Sequence, residues 1–242
     1  MGIAHSKETY LPSENDWPYV WAIRDAEILD WKKSVEGERT AEEIQKLAKA
    51  QANLPVEIAP YLYLCGAKHA HDVSLLKEKG ITHVLNVAGM AGQGPIEEYK
   101  NANIHVLNID ADDEEGYQML SLHYEKAYNF IESARISGGK CVVHCVAGIN
   151  RSGVIVASVY MMNEKVNILD TVAHCRIKRG NCFLWNSTFQ EELVAMARKE
   201  ERLGPGPCES GCRVQIVPPP SSSNLFENKT ATFNSNKIKS LF

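Results

Sequence analysis

Between residues 141 and 162 the chain passes from a short apolar run, Cys141-Val142-Val143-His144, through a loop of small residues into a segment that is apolar on every side. Val154, Ile155, Val156, Ala157, Val159, Met161 and Met162 include enough β-branched residues to suit a strand. The segment runs to about a dozen residues, whereas strands average ~5 to 6, so its length argues for a buried helix. A strand, a loop and a buried helix in succession are a unit of α/β architecture.

The same alternation extends from Pro55 onward. Tyr61 to Leu64, Ile81 to Val87 and Ile104 to Ile109 read as further strands, with a helix over roughly His69 to Lys79. Leu120, Tyr124, Ala127, Ile131 and Ala134 recur at helical spacing, and Gly138-Gly139 ends that helix. Two more helices are expected, over about Asn167 to Lys178 and Ser187 to Arg202, the second opened by a capping box at Ser187 and Gln190. The expected fold is α/β: a central, mostly parallel sheet flanked by helices, with an anion-binding loop between a strand and a helix.

The expected organisation is an N-terminal extension with short helices over 1–54, a catalytic domain over 55–203 and a disordered tail over 204–242. In the extension Trp17, Trp21, Ile28 and Trp31 are too scattered to close a core, and Thr40-Ala41-Glu42-Glu43 suits the start of a short helix through Gln51 that docks on the main domain. Gly-Pro-Gly-Pro and a Pro-Ser run without apolar periodicity mark the tail.

No apolar run reaches the ~18 residues of a membrane span. The net charge of −4 provides no global attraction to nucleic acid, so an anionic ligand must be held locally. The seven cysteines cannot all pair within one chain, and the start lacks a secretory signal, which points to a reducing, cytoplasmic setting.

The loop His144-Cys145-Val146-Ala147-Gly148-Ile149-Asn150-Arg151 carries the chemistry. A strand ending at His144 and a helix starting near Arg151 direct the backbone N–H groups of residues 146 to 151 around a point above Cys145, a cradle for phosphate. Gly148 supplies the conformational freedom of the ring. The amides and the helix end favour a thiolate nucleophile at Cys145. Arg151 can fold back to clasp two phosphate oxygens with its planar fork. Ser152 is placed to donate its hydroxyl to the sulfur. His144, one residue earlier on the strand, points away from Cys145 and is expected to hold the loop by a hydrogen bond. No metal or other cofactor is needed, and the cysteines and histidines show no zinc spacing.

His-Cys-x₅-Arg-Ser resembles the protein tyrosine phosphatase superfamily, and within it the small atypical dual-specificity phosphatases. The resemblance spans roughly residues 55 to 203 and includes Ile81 to Val87, the apolar helix ending Tyr160-Met161-Met162, and Lys178-Arg179 followed by Asn186-Ser187-Thr188-Phe189. Two positions differ from the family pattern: Asn150 replaces a small residue before the arginine, and Thr188 replaces a glycine before Phe189. Asn150 is similar to the pattern of related RNA 5′-phosphatases.

Cleavage of a phosphate ester also needs an acid for the leaving oxygen, and Asp110, Asp112, Asp113, Glu114 and Glu115 all follow the strand ending at Ile109. The family pattern apolar-x-apolar-x-x-x-Asp, laid on Leu107 to Asp113, implies Asp113, with Asp112 in reserve. The resemblance implies a phosphatase acting on phosphotyrosine and phosphoserine or phosphothreonine through a cysteinyl-phosphate, with phosphoproteins such as signalling kinases as partners. An RNA 5′-phosphatase, a phosphoinositide phosphatase or a non-catalytic phosphoprotein-binding module remain open on the same loop. Finally, Met1-Gly2-Ile3-Ala4-His5-Ser6 fits N-myristoylation at Gly2, and one acyl chain would bind membranes weakly.

Overall fold

The three central strands of this chain are buried at every position because both faces of the sheet are covered. The computed structural model describes residues 9–25, 53–180 and 182–207. In chain order, α1 (Trp17–Asp25) is followed by β1 (Val56–Ala59), β2 (Leu62–Gly66), α2 (Ala67–Ala70), α3 (Val73–Glu78) and β3 (His83–Asn86). Next come α4 (Ile96–Asn101), β4 (His105–Asn108), α5 (Met119–Ile136), β5 (Cys141–Cys145), α6 (Arg151–Glu164), α7 (Ile168–Arg179) and α8 (Ser187–Lys199). The strands form one sheet in the order β1-β2-β5-β3-β4. Only the β1–β2 pair is antiparallel among these; β5 lies between two parallel neighbours, with Gly66 opposite Cys145 and Asn86 opposite His144.

Side chains alternate across such a sheet. Leu62, Leu64, Leu85, Cys141 and Val143 enter the layer that also holds Ile131 of α5, Val156 of α6 and Phe189 of α8. Tyr63, Cys65, Val84 and Val142 enter the opposite layer with Leu76 of α3 and Tyr99 of α4. Because α6 lies in the middle of the thicker layer, its residues from Ser152 to Met161 are all buried, which accounts for an apolar pattern without a polar face. Truncating one of its large side chains, such as Ile155, would leave a cavity costing about 2 to 5 kcal/mol.

The N-terminal helix α1 packs on α7 and α8 through Tyr19, Val20 and Ile23. Asp16, wholly buried, pairs with Arg198 of α8 at 2.9 Å, and the Arg24 guanidinium meets Glu191 at 2.6 Å. Trp17 stacks on Trp21 with ring centroids 6.4 Å apart.

Several local expectations are corrected. The single helix expected over His69 to Lys79 is two, because the Asp72 carboxylate accepts the Leu75 N–H and starts a new helix at Val73. Helix α8 is capped by Asn186 rather than Ser187: the Asn186 side chain accepts the Phe189 N–H, and Gln190 donates to the Leu184 carbonyl instead of closing a box. Strand β1 and helix α4 were not anticipated. Gly2, the helix expected over 40 to 51 and the tail beyond residue 207 lie outside the described residues.

Candidate active site

The parallel strands end at one edge of the sheet, and the loops leaving β5 and β4 meet there. Cys145 is the last residue of β5 and Arg151 the first of α6, so residues 146 to 150 must turn the chain from sheet to helix. The turn is tight enough to need glycine at two points. Gly148 has φ +70°, and a Cβ there would lie 2.4 Å from the Cys65 backbone. A Cβ at Gly66 would lie 2.9 Å from the Val146 carbonyl oxygen.

The orientation of the loop amides follows from what holds their carbonyls. In a trans peptide the C=O and the next N–H point in opposite directions. The Val146 carbonyl accepts from the Ala67 N–H at 3.0 Å, the Ala147 carbonyl from Arg179 Nη2 at 3.0 Å, and the Gly148 carbonyl from Arg179 Nε at 2.9 Å. The N–H groups of Ala147, Gly148 and Ile149 are thereby turned to the inside of the ring. Gly148 N–H donates to Cys145 Sγ at 3.2 Å, and Ser152 Oγ donates to the same sulfur at 3.2 Å. The cysteine thus has two donors converging on it at the head of a fourteen-residue helix.

Arg179, almost wholly buried, was named in the sequence only as part of a matching segment, and its anchoring role went unforeseen. A basic residue in the last turn of a helix is ordinarily read as complementing the helix dipole.

His144 faces the opposite layer, as alternation requires. Its Nδ1 lies 3.2 Å from the Cys145 carbonyl oxygen, which can only accept, so Nδ1 carries the hydrogen. Burial pushes the imidazole down to about 4, with nearby His71 adding in the same direction. His144 is therefore a neutral donor near neutral pH. Burial pushes the thiols of Cys65, Cys141 and Cys175 up, which leaves them as inert core residues.

Asn150 is buried, and its Oδ1 accepts the N–H groups of Trp185 and Asn186 at 3.0 and 3.2 Å. A residue without a side-chain acceptor could not make that bridge, which ties the cradle to the start of α8. The departure from the family pattern at this position has a structural use that does not involve RNA.

Arg151 reaches across to the loop after β4. Its Nη1 donates to the Ala111 carbonyl at 3.0 Å, and Nε lies 3.7 Å from Asp113 Oδ2. Apart from that ion pair, the buried Nε has no hydrogen-bond partner among the described residues. Asp113 also accepts from Asn186 Nδ2 at 3.3 Å. Of the carboxylates after β4, Asp113 is brought to Arg151. The Asp110 carboxylate packs over Gly89, Asp112 is exposed beside Tyr117, and Glu115 is bound to the first turn of α8. The structure thus brings Ser152 to Cys145 at the loop and sets Arg151, at the head of α6, against Asp113 of the loop after β4.

Residues 62–199 match the family model described as dual specificity phosphatase, catalytic domain. The chain is similar to human dual specificity protein phosphatase 26, at 32% identity over 152 residues that cover 62% of this chain and 71% of that protein. It is 33% identical over 142 residues to mouse dual specificity protein phosphatase 2, covering 59% of this chain and 42% of the relative. Among solved structures, that of DUSP15 superposes with a TM-score of 0.51 at 27% identity, covering 61% of this chain and 96% of the other. The chain belongs to the dual specificity phosphatase catalytic-domain family, and it is a protein phosphatase of that class.

Proposed function

We propose that Cys145 is the nucleophile, Arg151 the phosphate clasp and Asp113 the acid and base of this phosphatase. The observation that carries the reading is the convergence of Arg151 on both sides of the site: its helix starts at the cradle while its guanidinium lies 3.7 Å from Asp113.

In the first step Cys145 Sγ attacks the phosphorus of a phosphorylated side chain, the P–O bond breaks, and protonated Asp113 gives its proton to the leaving oxygen. The inward N–H groups of the loop and the Arg151 fork carry the three equatorial oxygens, whose charge must be held as the phosphoryl group flattens. In the second step water attacks the cysteinyl-phosphate, Asp113 takes the water proton, and the thiolate leaves. The Ser152 hydroxyl, 3.2 Å from the sulfur, stabilises the departing charge. His144 acts only through the loop, donating to the Cys145 carbonyl.

The acid is tested by leaving-group dependence. Asp113→Asn should slow phosphotyrosine and phosphothreonine peptides by about 10² to 10⁴ while barely affecting para-nitrophenyl phosphate, whose phenolate leaves without a proton. Should Asp112→Asn behave this way and Asp113→Asn not, the acid is Asp112.

The neutral side chains of Val146, Ala147 and Ile149 fit a phosphoprotein better than a multiply charged headgroup, and phosphorylated signalling kinases are proposed substrates. Gly2 is proposed to carry myristate, giving a cytoplasmic protein with weak, reversible membrane association. Intact-mass analysis after expression in a eukaryotic cell tests this, and an unacylated N-terminus would reject it.

A further inference from the structure

The segment between β4 and α5 has no regular structure, yet it is tied down on both sides of Asp113. Upstream, the Ala111 carbonyl is held by Arg151. Downstream, the tie is a cluster at the N-terminus of α8. Thr188 Oγ1 accepts the Gly116 N–H at 2.7 Å and donates to Glu115 Oε2 at 3.2 Å. Ser187 Oγ donates to the same carboxylate oxygen in a short hydrogen bond, and the Ser187 N–H lies 3.4 Å from Glu115 Oε1.

Glycine, usual in the family at position 188, could make neither side-chain bond. The carboxylate is well placed in electrostatic terms as well, facing the positive end of a thirteen-residue helix. Partial burial alone would raise the Glu115 carboxyl, but the hydrogen bonds from Ser187 and Thr188 outweigh it and hold the group below its ordinary range. The start of α8 is itself fixed to the cradle, because Asn150 binds the N–H groups of Trp185 and Asn186. A continuous set of bonds therefore runs from the cradle through α8 to the loop that bears Asp113.

We infer that Thr188 and Glu115 are positioning residues: their clasp on α8 holds the loop closed and keeps Asp113 over the cradle before substrate arrives. The inference rests on Asp113 being the acid. It assigns a use to the second departure from the family pattern, and it predicts that losing the clasp impairs proton transfer and leaves phosphate binding intact.

The test uses the full chain with Thr188→Val, Thr188→Ser and Glu115→Ala, assayed on a phosphotyrosine peptide and on para-nitrophenyl phosphate. Thr188→Val should lower kcat on the peptide by about tenfold, since small misplacements of a reacting group are costly, and should change the nitrophenyl rate by less than about twofold. Inhibition by inorganic phosphate should be unchanged, Thr188→Ser should restore the peptide rate, and Glu115→Ala, which removes the acceptor, should follow Thr188→Val. In an Asp113→Asn background Thr188→Val should have no further effect. Equal slowing of both substrates, or the same loss on top of Asp113→Asn, would overturn the inference and leave the acid assignment standing. An Asp113→Asn variant without leaving-group dependence would overturn that assignment and the inference with it.

Discussion

Arg179 donates to the Gly148 carbonyl oxygen at 2.9 Å from beneath the loop, so the inner lining of the phosphate cradle is set by a residue that never faces the phosphate. The same guanidinium holds the Ala147 carbonyl, which turns the Gly148 N–H onto Cys145. Replacing it with Met fills the space but leaves two carbonyls without a donor. The expected cost is about 2 kcal/mol in urea titration and at least about tenfold in kcat. Lost stability with unchanged kcat would mean the loop keeps its shape without the anchor.

Ser152→Ala removes one of the two donors to Cys145 Sγ. The second chemical step, in which the thiolate leaves, should slow by about tenfold, as for other single donors to developing charge. The cysteinyl-phosphate should then accumulate, and stopped-flow kinetics should show a burst of leaving group followed by a slower steady state. Loss of the burst together with the rate would place the serine in the first step instead.

Much of this site could be read from residue spacing, and the parts that could not share one cause. The strand and helix that flank the cradle were legible because Cys141 to His144 is a short apolar run and Val154 to Met162 a longer one, on either side of a small-residue loop. The roles of Arg179, Asn150 and Glu115 were not, since each depends on a partner at least thirty residues away in sequence, at 147 and 148, at 185 and 186, and at 187 and 188. Local pattern fails similarly at β1, a four-residue strand with one β partner, and at α4, where Tyr99 is the buried residue. At the start of α8, Ser187 was a plausible cap, but its hydroxyl is engaged by Glu115 and Asn186 does the capping.

Glu192 is another such case. From α8 its buried carboxylate accepts the Leu120 and Ser121 N–H groups at 2.9 and 3.0 Å and the Ser121 hydroxyl at 2.8 Å. It thereby caps α5, whose own N-cap residue Gln118 makes no side-chain cap bond. Glu192→Ala should destabilise the fold by roughly 2 kcal/mol, because two helix N–H groups lose their acceptor inside the protein. Thermal unfolding measures it, and the ratio of peptide to nitrophenyl rates should stay constant, in contrast to the Thr188 variants.

His144 predicts the pH dependence of stability. Its folded value of about 4 lies below the ordinary imidazole value of 6.5, so between these limits the unfolded chain binds more protons than the folded one. Its contribution is present above the unfolded value and is lost as pH falls toward 4. The loss between pH 7 and pH 5 should be roughly 2 kcal/mol. His69, His83 and His174, also shifted down by burial, act with the same sign. Urea titrations at the two pH values should show a smaller difference for His144→Asn than for the natural protein. An equal difference would assign the pH dependence to the other histidines.

The central claim is that phosphate passes through Cys145, and the direct measurement is rapid quenching during turnover of a phosphotyrosine peptide, followed by mass analysis of the loop peptide. One phosphoryl group should be found on Cys145, in larger amount in Ser152→Ala. In Cys145→Ser it should be absent, with turnover below about a tenth of the natural rate, because a hydroxyl in the same cradle is a weak nucleophile. Turnover without a phosphoryl group on Cys145, or a Cys145→Ser variant that remains active, would contradict the account.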